Sequence, residues 1–182
     1  MKVYDKNNMN IGIIENNILK IHNNTFKNVE LFINKNEDGT IYEDIHQWEN
    51  KKYKNALVTS LQYLIENDKH IKHKEDIKFC KFNISKIYQK KCGIYVWVQG
   101  NEVIYIGKTV NLLTRFNSGY GRISPRNCYI GGQSTNCKMN HAFYEIYKNG
   151  GEIDLYFKET SDYNNLEKEL LQEIPTKYNT VH

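Results

Sequence analysis

Residues 92–115 constrain the fold more than any other part of the chain, because two apolar runs are separated there by a short turn. The runs, at 93–98 and 103–106, are rich in β-branched and aromatic side chains and flank a turn at 99–102. This arrangement predicts a β-hairpin. After Gly107 the spacing of apolar residues becomes helical, so we expect the hairpin to lead directly into a helix.

Polar side chains gather where the second strand gives way to the helix. Tyr95 and Tyr105 are placed on the two strands of the predicted hairpin. Lys108 follows Tyr105 by three residues, and Arg115 follows it by ten. We therefore expect two phenols, an amine and a guanidinium to converge on one small area.

Arginine is confined to one part of the chain. The arginines are Arg115, Arg122 and Arg126, and lysine is used elsewhere. A planar guanidinium grips a phosphate or the edge of a guanine in a way that an ammonium does not. The clustering therefore indicates contact with nucleic acid, with chance clustering as the alternative. The formal net charge of +4 permits such a polyanionic partner without requiring one.

Length and composition limit the class of protein. A chain of 182 residues suits one domain, or one domain with an appendage. It has no apolar run long enough to span a membrane and no apolar core of a secretory signal near its start, which predicts a cytoplasmic protein. The four cysteines are irregularly spaced, which favours reduced thiols over a zinc site.

The first half of the chain carries no recognisable chemistry. Residues 1–44 contain short apolar runs joined by turns rich in Asn and Gly, which predicts a small antiparallel meander. Residues 48–66 have one apolar face at helical spacing. We predict that residues 1–88 form a DNA-binding or dimerisation extension and that residues 89–182 form a second domain.

The segment after Arg115 has the composition of a nucleic-acid-binding surface. Residues 117–127 form a loop by composition and mix basic with aromatic side chains. A helix should follow, from Ser134 or Thr135 to about Lys148, and its amino end could bind phosphate or read adenine through amides, or simply be capped and solvated. The candidate DNA-binding residues are Arg122, Arg126, Gln133, Asn136 and Lys138.

Two further elements complete the chain. Residues 153–157 predict a third strand, and residues 165–174 predict a last helix with Leu166, Leu170 and Ile174 facing inward. On that helix Glu167 and Glu169 cannot share one face.

Over residues 92–179 the chain resembles the GIY-YIG nuclease superfamily. Gly93-Ile94-Tyr95 matches the first motif of the family, and Tyr105-Ile106-Gly107 matches the second. Four further positions match in the right order: Lys108, Arg115, Glu167 and Asn179.

The resemblance implies an α+β fold, in which a small three-stranded antiparallel sheet is flanked by helices. The N-terminal meander and helix would extend this fold. The insertion around 131–137 is most similar to the type II restriction endonucleases of the superfamily. Many members carry His or Tyr four residues after the arginine, where this chain has Gly119. Either Tyr120 fills that role or the role is vacant.

The resemblance also implies an activity, the Mg²⁺-dependent, sequence-specific hydrolysis of phosphodiester bonds in double-stranded DNA. We expect Tyr95 to relay the proton of the attacking water, helped by Lys108, and Tyr105 to support water and phosphate. Arg115 would grip the non-bridging oxygens. Glu167 would be the single protein ligand of a hydrated Mg²⁺, which Mn²⁺ can replace.

The resemblance leaves the biological role open. Asn179 would hold the other site residues in place without contacting the substrate. A palindromic target would favour a homodimer, and a cognate DNA methyltransferase would act on the same site. The alternatives are a mobile-element or repair nuclease of the same superfamily, and a DNA-binding module that has lost its activity.

Overall fold

The computed structural model of this chain divides into two compact units, each built from several segments of the sequence. The structure describes residues 1–35, 37, 43–44, 78–123 and 134–179. Unit 1 comprises Met1–Phe32, Asn83–Arg115 and Gly150–His182, and unit 2 comprises Ile33–Phe82 and Phe116–Asn149. The helix predicted at 48–66 lies outside the described residues.

Strands dominate the described residues. They are β1 (Lys2–Tyr4), β2 (Asn10–Glu15), β3 (Ile18–Ile21), β4 (Asn24–Val29), β5 (Phe32–Ile33), β6 (Glu43–Asp44), β7 (Lys78–Phe79), β8 (Phe82–Asn83), β9 (Gly93–Gln99), β10 (Glu102–Thr109) and β11 (Asp154–Glu159). The helices are a 3-10 helix (Lys86–Tyr88), α1 (Leu112–Thr114), a π-helical segment (Arg115–Tyr120), α2 (Ser134–Lys148) and α3 (Tyr163–Glu173). None of the helices in these ranges has the length and apolar character needed to cross a membrane.

Seven strands of unit 1 close into a barrel in the order β1-β10-β9-β11-β4-β3-β2. Neighbouring strands are antiparallel except for β1 and β10, which meet in parallel at Tyr4 and Glu102. The predicted fold, a small three-stranded sheet flanked by helices, is therefore wrong. The predicted hairpin and third strand are present as β9, β10 and β11, and the N-terminal strands β1–β4 continue their sheet.

The barrel depends on β11, which pairs along both of its edges. One edge of β11 pairs with β9, and the other pairs with β4 through Leu155 opposite Val29 and Phe157 opposite Lys27. An unpaired edge strand exposes a row of backbone donors and acceptors, and a closed barrel removes such edges. The proposed division at residue 88 stays a prediction, although the barrel draws strands from both sides of it.

Alternate side chains of the barrel strands meet in one apolar core. The last helix, α3, covers β10 and β9 and adds Leu170, with Ile174 just beyond its end. The buried members of this core are Val3, Leu19, Ile21, Phe26, Ile94, Val96, Val98, Val103, Ile106, Tyr156, Leu170 and Ile174.

In unit 2 the predicted helix at 134–148 is confirmed as α2. Its Asn140 is completely buried, and its Nδ2 donates to the carbonyl oxygens of Cys80 at 2.7 Å and Tyr120 at 2.6 Å. Its Oδ1 accepts from the Cys80 amide at 2.9 Å. These hydrogen bonds tie α2 to the chain segments at Cys80 and Tyr120.

The cysteines are in different states. Cys80 and Cys92 are free thiols, and burial raises the pKa of the Cys80 thiol to about 12. Cys137 is disulfide-bonded. The expectation that all four cysteines are reduced is therefore wrong.

Removing a core side chain from β4 tests whether the N-terminal strands belong to the barrel. Phe26 is completely buried in the barrel core. Phe26→Ala should lower the free energy of unfolding by about 3–5 kcal/mol, since it removes buried apolar surface and leaves a cavity. Urea denaturation of the full chain measures this. The exposed neighbour Thr25 gives the control Thr25→Ala, and equal midpoints for the two variants would contradict the barrel.

Candidate active site

The two motif glycines lie where neighbouring groups leave no room for a side chain. Gly93 begins β9, and a Cβ built there would collide with the carbonyl oxygen of Lys158 on β11. On β10, a Cβ at Gly107 would collide with the Tyr95 hydroxyl and lie 2.9 Å from Cε1 of Tyr105. Glycine at these positions lets β11 approach β9 and lets two phenol rings lie over β10.

The two motif tyrosines meet as the sequence predicts. Their ring centroids are 6.2 Å apart, and Trp97 packs edge-on against Tyr105 with centroids 6.0 Å apart. Tyr95 is completely buried and Tyr105 is 7% exposed. In this conformation the phenols therefore form a packed aromatic cluster that is closed to a large substrate.

Arg115 reaches this cluster because α1 begins directly after β10. Asn111 caps the helix, since its side chain accepts from the Thr114 amide at 3.3 Å. Thr109 fixes the cap in turn, since its Oγ1 accepts from the Asn111 amide at 3.1 Å. Nε of Arg115 then donates to the Tyr95 hydroxyl at 3.1 Å. The guanidinium and the phenols are thus brought together.

Asn179 binds the backbone of β10 as a neighbouring strand would. Its Oδ1 accepts from the Ile106 amide at 2.9 Å, and its Nδ2 donates to the Ile106 carbonyl at 2.7 Å. The Tyr178 amide donates to the carbonyl of Ile104 at 3.1 Å. Asn179 therefore holds the middle of the second motif in place.

Thr176 is a supporting residue that the sequence reasoning missed. Its Oγ1 donates to Oδ1 of Asn179 at 2.6 Å and accepts from the Asn179 amide at 3.2 Å. The spacing of three residues between Thr176 and Asn179 is typical of such local side-chain turns and could have identified the pair.

Lys108 and Glu167 form a second group. Nζ of Lys108 lies 2.9 Å from Oε2 of Glu167, and the two side chains are 42% and 20% exposed. Successive residues of a strand point to opposite faces, so Lys108 lies on the face of Ile106 and not on that of Tyr105. That face is the one on which α3 packs through Leu170.

The predicted residues therefore form two groups on the two faces of β10, joined by the backbone from Gly107 to Lys108. The expected convergence of Tyr95, Arg115 and Glu167 on one point stays a prediction. The two groups lie close along the chain, near the end of the strand.

The donor set for a metal is a single carboxylate. Within the described ranges no three His, Cys, Asp or Glu residues form a group that could hold a metal ion. Mg²⁺ keeps several waters and is commonly bound through one or two carboxylates, so Glu167 fits this chemistry. Lys108 competes for the same carboxylate.

The remaining candidates lie in unit 2 or outside the described residues. The Tyr120 ring is completely buried and packs against Phe116 with centroids 5.5 Å apart, so its side chain belongs to the core of that unit. Arg122 and Lys138 are exposed, and Asn136 is buried, which keeps its amide from a base edge in this conformation. Arg126 and Gln133 lie outside the described residues.

Taken together, the strand end presents a partly exposed guanidinium, an exposed ammonium and one carboxylate. Such a set can neutralise a phosphate and hold one hydrated cation. No protein-family model matches the chain, and neither the curated proteins nor the solved structures gave a significant match.

The contacts of Asn179 predict a stability effect. Asn179→Ala would leave the amide and carbonyl of Ile106 without their present partner and should cost about 1–3 kcal/mol of unfolding free energy. Asn179→Asp should cost a similar amount at pH 7, because a carboxylate cannot donate to the Ile106 carbonyl. It should regain stability as the pH falls, since a protonated carboxyl donates again.

Urea denaturation at pH 7 and pH 4, with wild type as the reference at each pH, measures both effects. Asn164 is exposed on α3 and supplies the control Asn164→Ala. An Asn179→Ala variant as stable as this control would contradict the assigned role.

Proposed function

We propose that this protein is a metal-dependent endonuclease that hydrolyses phosphodiester bonds in double-stranded DNA, as its likeness to GIY-YIG nucleases implies. The observation that carries the proposal is the hydrogen bond from Nε of Arg115 to the Tyr95 hydroxyl. It fixes a guanidinium beside two phenols, and the fork of a guanidinium matches two oxygens of a phosphate.

In the proposed reaction Arg115 neutralises the charge that grows on the non-bridging oxygens. The Tyr95 hydroxyl takes up the proton of the attacking water as its own proton passes to solvent, and Tyr105 supports that water. Because Tyr95 is completely buried, the proposal requires that DNA binding exposes its hydroxyl.

Glu167 would hold Mg²⁺ through its carboxylate. When bound, the ion supplies a positive charge that stabilises the leaving oxygen. Release of Lys108 from Glu167 frees its ammonium for a phosphate oxygen, which links the two groups of the site through the substrate.

We further propose that cleavage is sequence-specific, as in restriction enzymes. The exposed side chains of Arg122 and Lys138 support a DNA-contacting role for the segment after α1. Sequencing the ends of digested plasmid tests this proposal. One recurring end sequence is expected, whereas scattered ends would favour a repair or mobile-element nuclease.

The burial of Tyr95 and the ion pair of Glu167 favour a second candidate, a DNA-binding module without catalysis. A plasmid incubated with Mg²⁺ or with EDTA distinguishes the two candidates. Nicking that requires Mg²⁺ supports the nuclease, and binding without nicking supports the module.

If Tyr95 relays the proton, removing its hydroxyl oxygen should slow DNA cleavage strongly. Tyr95→Phe should lower the single-turnover nicking rate by about 10²–10⁴-fold while DNA binding in EDTA is retained, because general-base help has that magnitude. The control is Tyr4→Phe on β1, which removes the hydroxyl of a half-buried tyrosine. Cleavage at the wild-type rate by Tyr95→Phe would disprove the relay.

The metal ligand can be tested by an isosteric pair on α3. Glu167→Gln should abolish Mg²⁺-dependent nicking, since an amide binds Mg²⁺ poorly and carries no charge. Glu169 is exposed on the same helix, and Glu169→Gln should leave nicking unchanged. Both variants should melt near the wild-type temperature, because a partly exposed ion pair contributes little stability. Full activity of Glu167→Gln would refute the assignment.

A further inference from the structure

A groove of about 540 Å³ opens in unit 1 beside the strand that carries Tyr95. Its floor is formed by β4 and β11, and one wall by the 3-10 helix and the residues after it. The lining residues are Asn23, Thr25, Lys27, Val29, Ile87, Tyr88, Lys91, Phe157, Lys158 and Glu159.

The groove has a small excess of positive charge, because Lys27 and Lys91 line it against the single carboxylate of Glu159. Lys91 pairs with Glu159 at 2.9 Å, which neutralises one of them. Lys158 donates to Oδ1 of Asn24 at 2.6 Å and is opposite Ile94 of the barrel core, so its ammonium lies on the other face of the sheet from Lys27. Lys27 is exposed and has no carboxylate partner among the described residues. The positive charge of Lys27 therefore remains for an anion.

Neutral donors and one aromatic wall accompany these charges. Tyr88 packs edge-on against Phe157 with ring centroids 6.3 Å apart. Burial raises the pKa of Tyr88, so its hydroxyl keeps its proton and can donate to an anion. Asn23 and Thr25 add polar side chains at the same groove. Hydroxyl and amide donors together with lysines are the usual partners of phosphate oxygens.

The groove continues the row of residues that leads to the candidate site. Across the sheet, Lys27 is opposite Phe157, Phe157 is opposite Tyr95, and Tyr95 is opposite Gly107. Adjacent strands lie about 4.8 Å apart, so the backbone at Lys27 is about 10 Å from that at Tyr95. A phosphate held at Lys27 would therefore lie close to the phosphate at the candidate site.

We propose that this groove binds backbone phosphates of the DNA strand close to the phosphate at Arg115. Lys27 contacts a phosphate oxygen, and the Tyr88 hydroxyl donates to another. The identity of the ligand rests on the proposed function. The contacts would fix the register of the strand over the site and would not read its sequence.

The test measures binding of the full chain to a fluorescent 25-base-pair duplex in EDTA, so that no cleavage is needed. Lys27→Ala should raise the Kd about 3–10-fold near 100 mM salt, and Lys27→Glu should raise it further. A plot of log K against log salt should lose a slope of about 0.9 for each phosphate contact removed. Lys2→Ala and Lys2→Glu are the controls, because Lys2 is exposed on β1, which pairs with neither β4 nor β11.

The outcomes separate the groove from the nuclease. Weaker binding by Lys27 variants supports the groove whether or not the wild type cleaves DNA. Wild-type Kd and salt slope in both Lys27 variants overturn the groove, even if Mg²⁺-dependent nicking is found. Absence of duplex binding by the wild type also overturns it. A titration with inorganic pyrophosphate tests whether the groove instead binds a small phosphorylated ligand. Saturable micromolar binding of pyrophosphate that is lost in Lys27→Glu would overturn the DNA assignment.

Discussion

Strand β11 is paired along both edges, and the arrangement of unit 1 depends on that double pairing. With β9 on one side and β4 on the other, it joins the motif hairpin to strands near the start of the chain. The absence of a side chain at Gly93 permits this approach, because a Cβ would meet the Lys158 carbonyl. A rigid sheet of antiparallel neighbours then fixes the motif tyrosines, since each residue of β9 has a defined partner on either side.

Local features of the sequence predicted the elements well. The hairpin and the helix at 134–148 follow from short-range patterns, and each is present. Barrel closure was not predictable in the same way, because the contact between Asn28 and Leu155 joins residues 127 positions apart. No periodicity within either segment specifies that pairing. In the sequence the strands of the meander also resemble a self-contained sheet, because the turns between them are short and consecutive strands can pair.

The residues of the candidate site were predictable from the sequence, but their arrangement in space was only partly predictable. Proximity of Arg115 to Tyr95 follows from a helix that begins at the end of a strand. The position of Glu167 relative to the phenols does not follow from motif order. Strand alternation already places Lys108 opposite to Tyr105, and the ion pair takes Glu167 to the face of Lys108. Burial of Tyr95 depends on tertiary packing, which a motif does not contain.

The ion pair of Lys108 and Glu167 has a consequence for the order of events at the site. If the proposed function holds, a bare carboxylate would repel the DNA phosphates, but an ammonium 2.9 Å away compensates its charge. In the proposed nuclease the polyanion could then dock before any cation arrives. The lysine would change partners from carboxylate to phosphate, and the vacated carboxylate would become attractive to a divalent ion only once DNA is in place. Substrate would thus recruit its own metal.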